Sequence, residues 1–348
     1  MTHDAHSHHW LITAAALVVV IAGMQAAKAV LVPFLLAIFL GIVCLPLLSK
    51  LIQMHFSPAM AVLTVTLSLL LAGAMLTVFA GASLADFSQN VPAYQDALQM
   101  RTQQFVDWLE SLGLNISNAH LLSLLNPSAA MGMAGKLLAG LGSTLANTFF
   151  IVLAVIFLLF EATALPHKWA VIQADDGHTP STEALETFLV NVNRYLAIKT
   201  MVSLATGTLV TLWLSILGID YALLWGLVAF LFNFVPNIGS IIAAVPAVLL
   251  ALVQIGPDAA LYTAIGYLVI NIIMGNVIEP RYMGRGVGLS TLIVFVSLVF
   301  WGWILGPVGM LLSVPLTMIV KLALEANAKS RWIAVMLGPD VKPPESQA

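Results

Sequence analysis

Residues 221–257 read YALLWGLVAFLFNFVPNIGSIIAAVPAVLLALVQIGP, 37 positions without a Lys, Arg, Asp or Glu. A bilayer core of about 30 Å needs roughly 20 apolar helical residues to cross it. The stretch is too long for one span and marginal for two. Its middle is Asn233-Phe234-Val235-Pro236-Asn237-Ile238-Gly239. Proline has no N–H and collides with the preceding turn, so one straight helix is excluded. Two halves of about 15 residues would each reach only about 22 Å. The economical reading is a re-entrant helical hairpin whose tip sits at membrane depth.

A second stretch behaves the same way. Residues 286–320 are 35 positions without a Lys, Arg, Asp or Glu, broken by Gly302-Trp303-Ile304-Leu305-Gly306-Pro307-Val308-Gly309. Pro236, Gly239, Val245 and Pro246 parallel Pro307, Gly309, Val314 and Pro315 at nearly the same spacing. A full apolar span precedes each stretch, so a unit of span plus broken hairpin occurs twice.

Working outward, six segments have the length of full spans: Trp10–Ala27, Ala29–Leu48, Pro58–Leu84, Leu137–Leu165, Tyr195–Leu217 and Ala259–Gly275. With a cytoplasmic N-terminus, Lys28, Arg101 and Lys136 fall outside and the other ten Lys and Arg fall inside. The positive-inside rule favours that orientation over its inverse, even without Arg194 and Lys199 at a span edge. The first hairpin then enters from outside and the second from the cytoplasm. Inverted repeats with broken helices meeting near the midplane are an architecture of secondary transporters. The expected fold is all-α: a polytopic membrane protein of about six full spans plus two oppositely oriented re-entrant hairpins.

Composition agrees. Of 348 residues, 60% are hydrophobic and 8% charged, against about 25% charged in soluble domains. Mean hydropathy is +1.00. An ordinary soluble enzyme is excluded, and weak alternating barrel segments are absent. A net charge of −3 gives no basic footprint for nucleic acid. The single Cys44 allows no intrachain disulfide. The first apolar run lacks the basic flank of a signal peptide and reads as a retained span. No G-x-x-x-x-G-K-[ST], H-E-x-x-H or G-x-S-x-G occurs, so no ATP site, zinc site or hydrolase elbow is expected, and no cofactor.

Five regions follow: residues 1–84, spans one to three; 85–136, an extracytoplasmic amphipathic segment with Asn90 as N-cap, Pro92 in its first turn and Gly113 as its stop; 137–189, the fourth span and an acidic cytoplasmic loop; 190–325, a transport core of two span-plus-hairpin units; and 326–348, a cytoplasmic tail.

The candidate site residues are the polar and helix-breaking ones at membrane depth. A broken helix leaves N–H and C=O groups that hydrocarbon cannot satisfy. Asn233, Pro236, Asn237, Gly239 and Ser240 at the first tip, and Gly306, Pro307 and Gly309 at the second, could hydrogen-bond a hydroxylated solute or gate it. The plainer alternative is tight helix packing through small residues. Asn271, Asn276, Glu279, Pro280 and Arg281 form the other group. Glu279 is either a coupling carboxylate, with Arg281 holding its charge, or half of an interfacial ion pair. Arg194 and Lys199 face Glu279 or anchor a span end, the anchoring account being the simpler. His3, His6, His8 and His9 lack a scaffold, so no metal site is assigned.

The stretches NFVPNIGSIIAAVP (Asn233–Pro246) and GNVIEPRYMGRGVGLSTLIVFVSLVFWGWILGPVGMLLSVPLTMIVK (Gly275–Lys321) resemble the autoinducer-2 exporter family. The resemblance is specific over about residues 190–325, and strongest to the branch that transports the quorum-sensing signal. It implies a bacterial inner-membrane exporter of a small polar signal, and a homo-oligomer, a pentamer being the form suggested; the inverted pair of units adds the expectation of alternating access. A proton or a sodium ion is the candidate coupling ion. Other family members are sodium/proton antiporters, so that activity stands as an alternative, and a non-transporting membrane scaffold as a third.

Overall fold

The computed structural model describes residues 3–111, 148–176, 180–236, 238–283, 288–325 and 330–339. Among these, every regular element is helical. In chain order they are α1 (His3–Ala26), α2 (Lys28–Gln53), α3 (Pro58–Ser111), α4 (Thr148–Asp176), α5 (Pro180–Ile216), α6 (Ala222–Phe232), α7 (Gly239–Gln254) and α8 (Pro257–Asn271). A π-helical segment (Ile272–Ile278) follows, then α9 (Glu279–Met283), α10 (Thr291–Leu305), α11 (Pro307–Leu311), α12 (Ser313–Glu325) and α13 (Arg331–Met336).

Among the described residues, four helices are long and apolar enough to cross a membrane: Lys28–Gln53, Pro58–Phe87, Val190–Ile216 and Pro257–Met283. They correspond to four of the six expected spans. The apolar stretches of α1 and α4, Ala15–Ala26 and Phe149–Leu165, are shorter. Residues 137–147 of the expected fourth span lie outside the described residues. Large apolar side chains on these helices stay exposed, among them Leu63, Met75 and Val78 on α3. Such faces are unfavourable in water and favourable in hydrocarbon, and the chain is a polytopic helical membrane protein.

The chain divides into two compact units. The first holds Met1–Thr66, Asn147–Leu196 and Arg285–Ala348; the second holds Leu67–Ala146 and Ala197–Gly284. The divide falls inside α3 and inside α5. It does not follow the expected repeat. The second span, α8, belongs with the first hairpin, whereas the second hairpin belongs with α1, α2 and α4.

In the first unit α2 packs along α4, with Gly41 against Leu158. The second broken run folds back on itself: α11 and α12 both pack on α10. It bends at two joints, Gly306 and Leu312. Gly306 has φ +75°, a left-handed conformation that favours glycine. A Cβ on Gly309 would stand 2.0 Å from the Trp301 carbonyl oxygen, so α11 lies backbone to backbone on α10. Trp301 Nε1 donates to Thr317 Oγ1 at 2.9 Å and ties α10 to α12. At the other end Lys321 Nζ donates to the Gly288 carbonyl at 2.7 Å, and Ser290 N–H to the Leu337 carbonyl at 3.0 Å.

In the second unit the first broken run forms α6, a turn over residues 233–238, and α7, packed against each other. The helices have 11 and 16 residues, about 16 and 24 Å long. Trp225, Leu224, Val210, Leu214 and Leu250 fill the core. Gly226 meets Gly207 of α5 so closely that a Cβ on either would stand 2.7 Å from the other's carbonyl oxygen.

Two sequence expectations change here. α3 does not restart at Asn90; it continues through Asn90 and Pro92 to Ser111. Phe87 and Tyr94, on one face of α3, dock onto Tyr221 and Trp225, and this packing holds the helix past the proline. Asn90 does not cap; its amide donates to the Asp86 carbonyl and to Tyr221 Oη. The remainder of the expected amphipathic segment, 112–136, lies outside the described residues. Secondly, the shared Val-Pro of the two runs is not structurally equivalent. Pro246 lies in the interior of α7, and Pro315 in the first turn of α12.

Candidate functional site

The inner stripe of α5 is polar at one end and apolar at the other. Lys199, Ser203 and Thr206 are buried, and so are Val210 and Leu214 further along. Their spacing of four, three, four and four residues keeps all five on one helical face.

Lys199 Nζ donates to both carboxylate oxygens of Glu279, at 2.7 and 2.8 Å. The Lys199 side chain is 6% exposed and that of Glu279 18%. A desolvated charge is tolerated only when paired, and here both partners come from helices rich in apolar residues. Arg281 is not the partner of Glu279; it is exposed. Two residues on a helix subtend about 200°, so Arg281 points away from its neighbour. Arg194 is also exposed.

Pro280 explains the local backbone. It cannot donate to the carbonyl four residues earlier and would crowd it in a regular α-helix. The preceding seven residues widen into π geometry, and Glu279 N–H reaches back to the Met274 carbonyl. π segments occur often at functional positions.

One turn along α5 from Lys199, Ser203 Oγ accepts a hydrogen bond from Asn233 Nδ2 at 2.9 Å. Asn233 is the first residue after α6 and opens the hairpin turn. The turn is held by its own backbone: Val235 N–H donates to the Phe232 carbonyl at 2.9 Å and Ile238 N–H to the Pro236 carbonyl at 2.6 Å. A Cβ on Gly239 would stand 1.8 Å from the Phe232 carbonyl oxygen, so only glycine closes it. Lys199 and Ser203, which hold the ion pair and the first tip, are therefore about 6 Å apart along one helix face.

The remaining candidates divide. Pro236 and Ser240 are half-buried in or beside the turn, and Gly239 is buried. Asn237 lies outside the described residues. Asn271 spends its amide on the Tyr267 carbonyl of its own helix, 2.8 Å away. Asn276 is exposed on the π segment. Gly306, Pro307 and Gly309 form the second tip in the other unit, where a Cβ on Gly306 would lie 2.9 Å from Lys28 Nζ. That amine stands by the carbonyl end of α10, where a positive charge is favoured. Ser203 was not among the sequence candidates. Its signal was legible as the position one turn after Lys199, on the face that Thr206 continues.

A second polar cluster closes the opposite end of the second unit. Tyr221 Oη donates to Asp86 Oδ2 at 2.6 Å. Gln254 Oε1 accepts from Asp220 N–H, and its amide donates to the Gly218 carbonyl. Among the described residues no group of His, Cys, Asp and Glu could hold a metal ion.

The interrupted apolar helices, two of which carry a mostly buried ion pair, are those of a helical membrane protein. Residues 14–329 match the sequence model of the AI-2E family transporter, and the chain belongs to that family. It is 39% identical over 321 residues to the AI-2 transport protein TqsA of Escherichia coli (strain K12), covering 92% of this chain and 93% of the relative. It is 37% identical over 342 residues to a provisionally named transport protein of Haemophilus influenzae, covering 97% and 98%. A third relative, provisionally named transport protein YhhT of Escherichia coli (strain K12), is 36% identical over 336 residues, covering 97% and 96%.

Proposed function

We propose that the protein is a secondary transporter of the bacterial inner membrane that exports a small polar signal of the autoinducer-2 type by alternating access. The observation that carries this reading is the juxtaposition on α5: a buried ion pair, and one turn away a hairpin-tip asparagine bonded to a buried serine. Such groups are costly in an apolar interior unless they serve a solute or an ion. Asn233 and Ser203 are the solute contacts, donor and acceptor for hydroxyl groups. Glu279 and Lys199 are the coupling pair. The second tip, Gly306-Pro307-Val308-Gly309, gates through backbone alone. The resemblance to TqsA supports the choice of cargo. A homo-oligomeric assembly accords with the family reading.

Sodium/proton antiport is the weaker alternative, because among the described residues no cluster of carboxylates surrounds Glu279 to hold a sodium ion. The test is efflux of autoinducer-2 from loaded right-side-out vesicles. Asn233→Ala and Ser203→Ala should each slow efflux several-fold at unchanged protein level. Full efflux in both variants would reject the site, and sodium-driven proton movement without efflux would favour the antiporter.

A further inference from the structure

Resting on that reading of the site, we infer that Lys199–Glu279 is a proton-operated exchange switch in which a proton on Glu279 and a hydroxylated solute at Ser203–Asn233 exclude each other. The argument starts from what an ion pair in an apolar setting permits. Opening it leaves two unmatched charges, which costs several kcal/mol. Glu279 can be matched by a proton taken from water on one side of the membrane. The carboxylate then becomes a neutral carboxyl, and the unit gains one positive charge.

Lys199 is left as a free ammonium needing acceptors. Few are in reach. α6 and α7 contain no ionisable side chain. The segment of Glu279 adds Arg281 and Tyr282, both exposed. α8 adds only the buried Tyr267 and the exposed Asp258 and Tyr262 nearer its start. On α5 itself, Arg194 is exposed and Tyr195 is buried, about one turn earlier. The neighbouring polar oxygen on the buried stripe is Ser203 Oγ, and Asn233 is bonded to it. Side chains four apart on a helix stand about 5–6 Å apart at Cβ, within reach of the four-carbon lysine stem.

An ammonium turned toward Ser203 takes the acceptors that a cargo hydroxyl would use. The proton-loaded unit therefore releases solute. When the proton leaves, Lys199 returns to Glu279 and the serine and asparagine are free to bind again. Competition of this kind is what one-for-one exchange requires: solute outward, proton inward. The π segment before Pro280 places Glu279 at a deformable point, where the carboxylate can part from Lys199 without breaking a regular helix.

The test uses the full-length protein in proteoliposomes, with autoinducer-2 as the probe and a trapped pH dye as the second readout. In the wild type an outward autoinducer-2 gradient should drive protons inward. Glu279→Gln, which holds the carboxyl neutral, should slow autoinducer-2 exchange about tenfold and abolish proton movement. The double variant Lys199→Gln/Glu279→Gln, with no ammonium left to compete, should restore exchange toward wild type while moving no protons. A carbodiimide that modifies protonated carboxyls should label Glu279 increasingly as pH falls. Wild-type transport without proton counterflow, a double variant no faster than the single one, or labelling indifferent to pH would each overturn the switch and leave the functional reading standing. Vesicles that ignore autoinducer-2 while labelling stays pH-dependent would overturn the functional reading, and the switch with it.

Discussion

The two broken runs obey one grammar and make different objects. The first places an asparagine at its bend, bonded to a buried serine one turn from an ion pair. The second bends at Gly306 and again at Leu312, and packs Trp301, Ile304 and Leu305 against Leu31, Val32 and Leu35 of α2. The charge beside its Gly306 bend is Lys28, set at the end of α10. Helix breakers inside an apolar run thus leave the character of the bend to neighbouring side chains: polar ones converge at the first bend and apolar ones at the second.

Substitutions can break this comparison. The largest effect should come from closing residues common to both tips. Gly239→Ala and Gly309→Ala each drive a methyl into a carbonyl oxygen, and each should cost about 3 kcal/mol or more. Folded yield and thermal unfolding in detergent check this, and a tolerated Gly309→Ala beside a lethal Gly239→Ala would show that only the first tip is tightly closed.

Next comes the buried ion pair of the second unit; Lys168–Glu161 and Lys321–Glu325, in the first unit, are more exposed. Lys199→Ala and Glu279→Ala should each destabilise by about 3–5 kcal/mol, and the double variant by less than either, since no unmatched charge remains. Equal losses in all three would mean that solvent already relieves the pair.

A smaller effect separates the tips by function. Asn233→Ala and Trp301→Phe each delete one side-chain hydrogen bond, worth about 1 kcal/mol inside a membrane protein. Both should lower the melting temperature by a few degrees, whereas only Asn233→Ala should slow efflux per folded molecule. The smallest effect belongs to Arg281→Ala. The side chain is exposed, so stability should move by no more than about 0.5 kcal/mol and efflux should hold. A large loss there would restore Arg281 as the partner of Glu279.

Much of this was legible in the chain. Thirty-seven positions without a Lys, Arg, Asp or Glu around Asn233–Gly239 demand two helices and a turn, because proline and the length of a crossing leave no other solution. Glu279 was legible as a candidate, a carboxylate beside a proline at a span end. Its partner was not. Arg281 is two residues away, Lys199 80 residues earlier and Arg194 earlier still; only the packing of α5 against the π segment selects Lys199. Ser203 is unremarkable by composition; the bond from Asn233 gives it a role. Nor could the chain show which span joins which hairpin.

Sequence alone determined that the molecule is helical, membrane-embedded and twice interrupted, because hydropathy, run length and missing N–H groups act locally. Tertiary structure alone decided which polar groups meet, because α5 and α9 are far apart along the chain and only their packing brings an ammonium to a carboxylate.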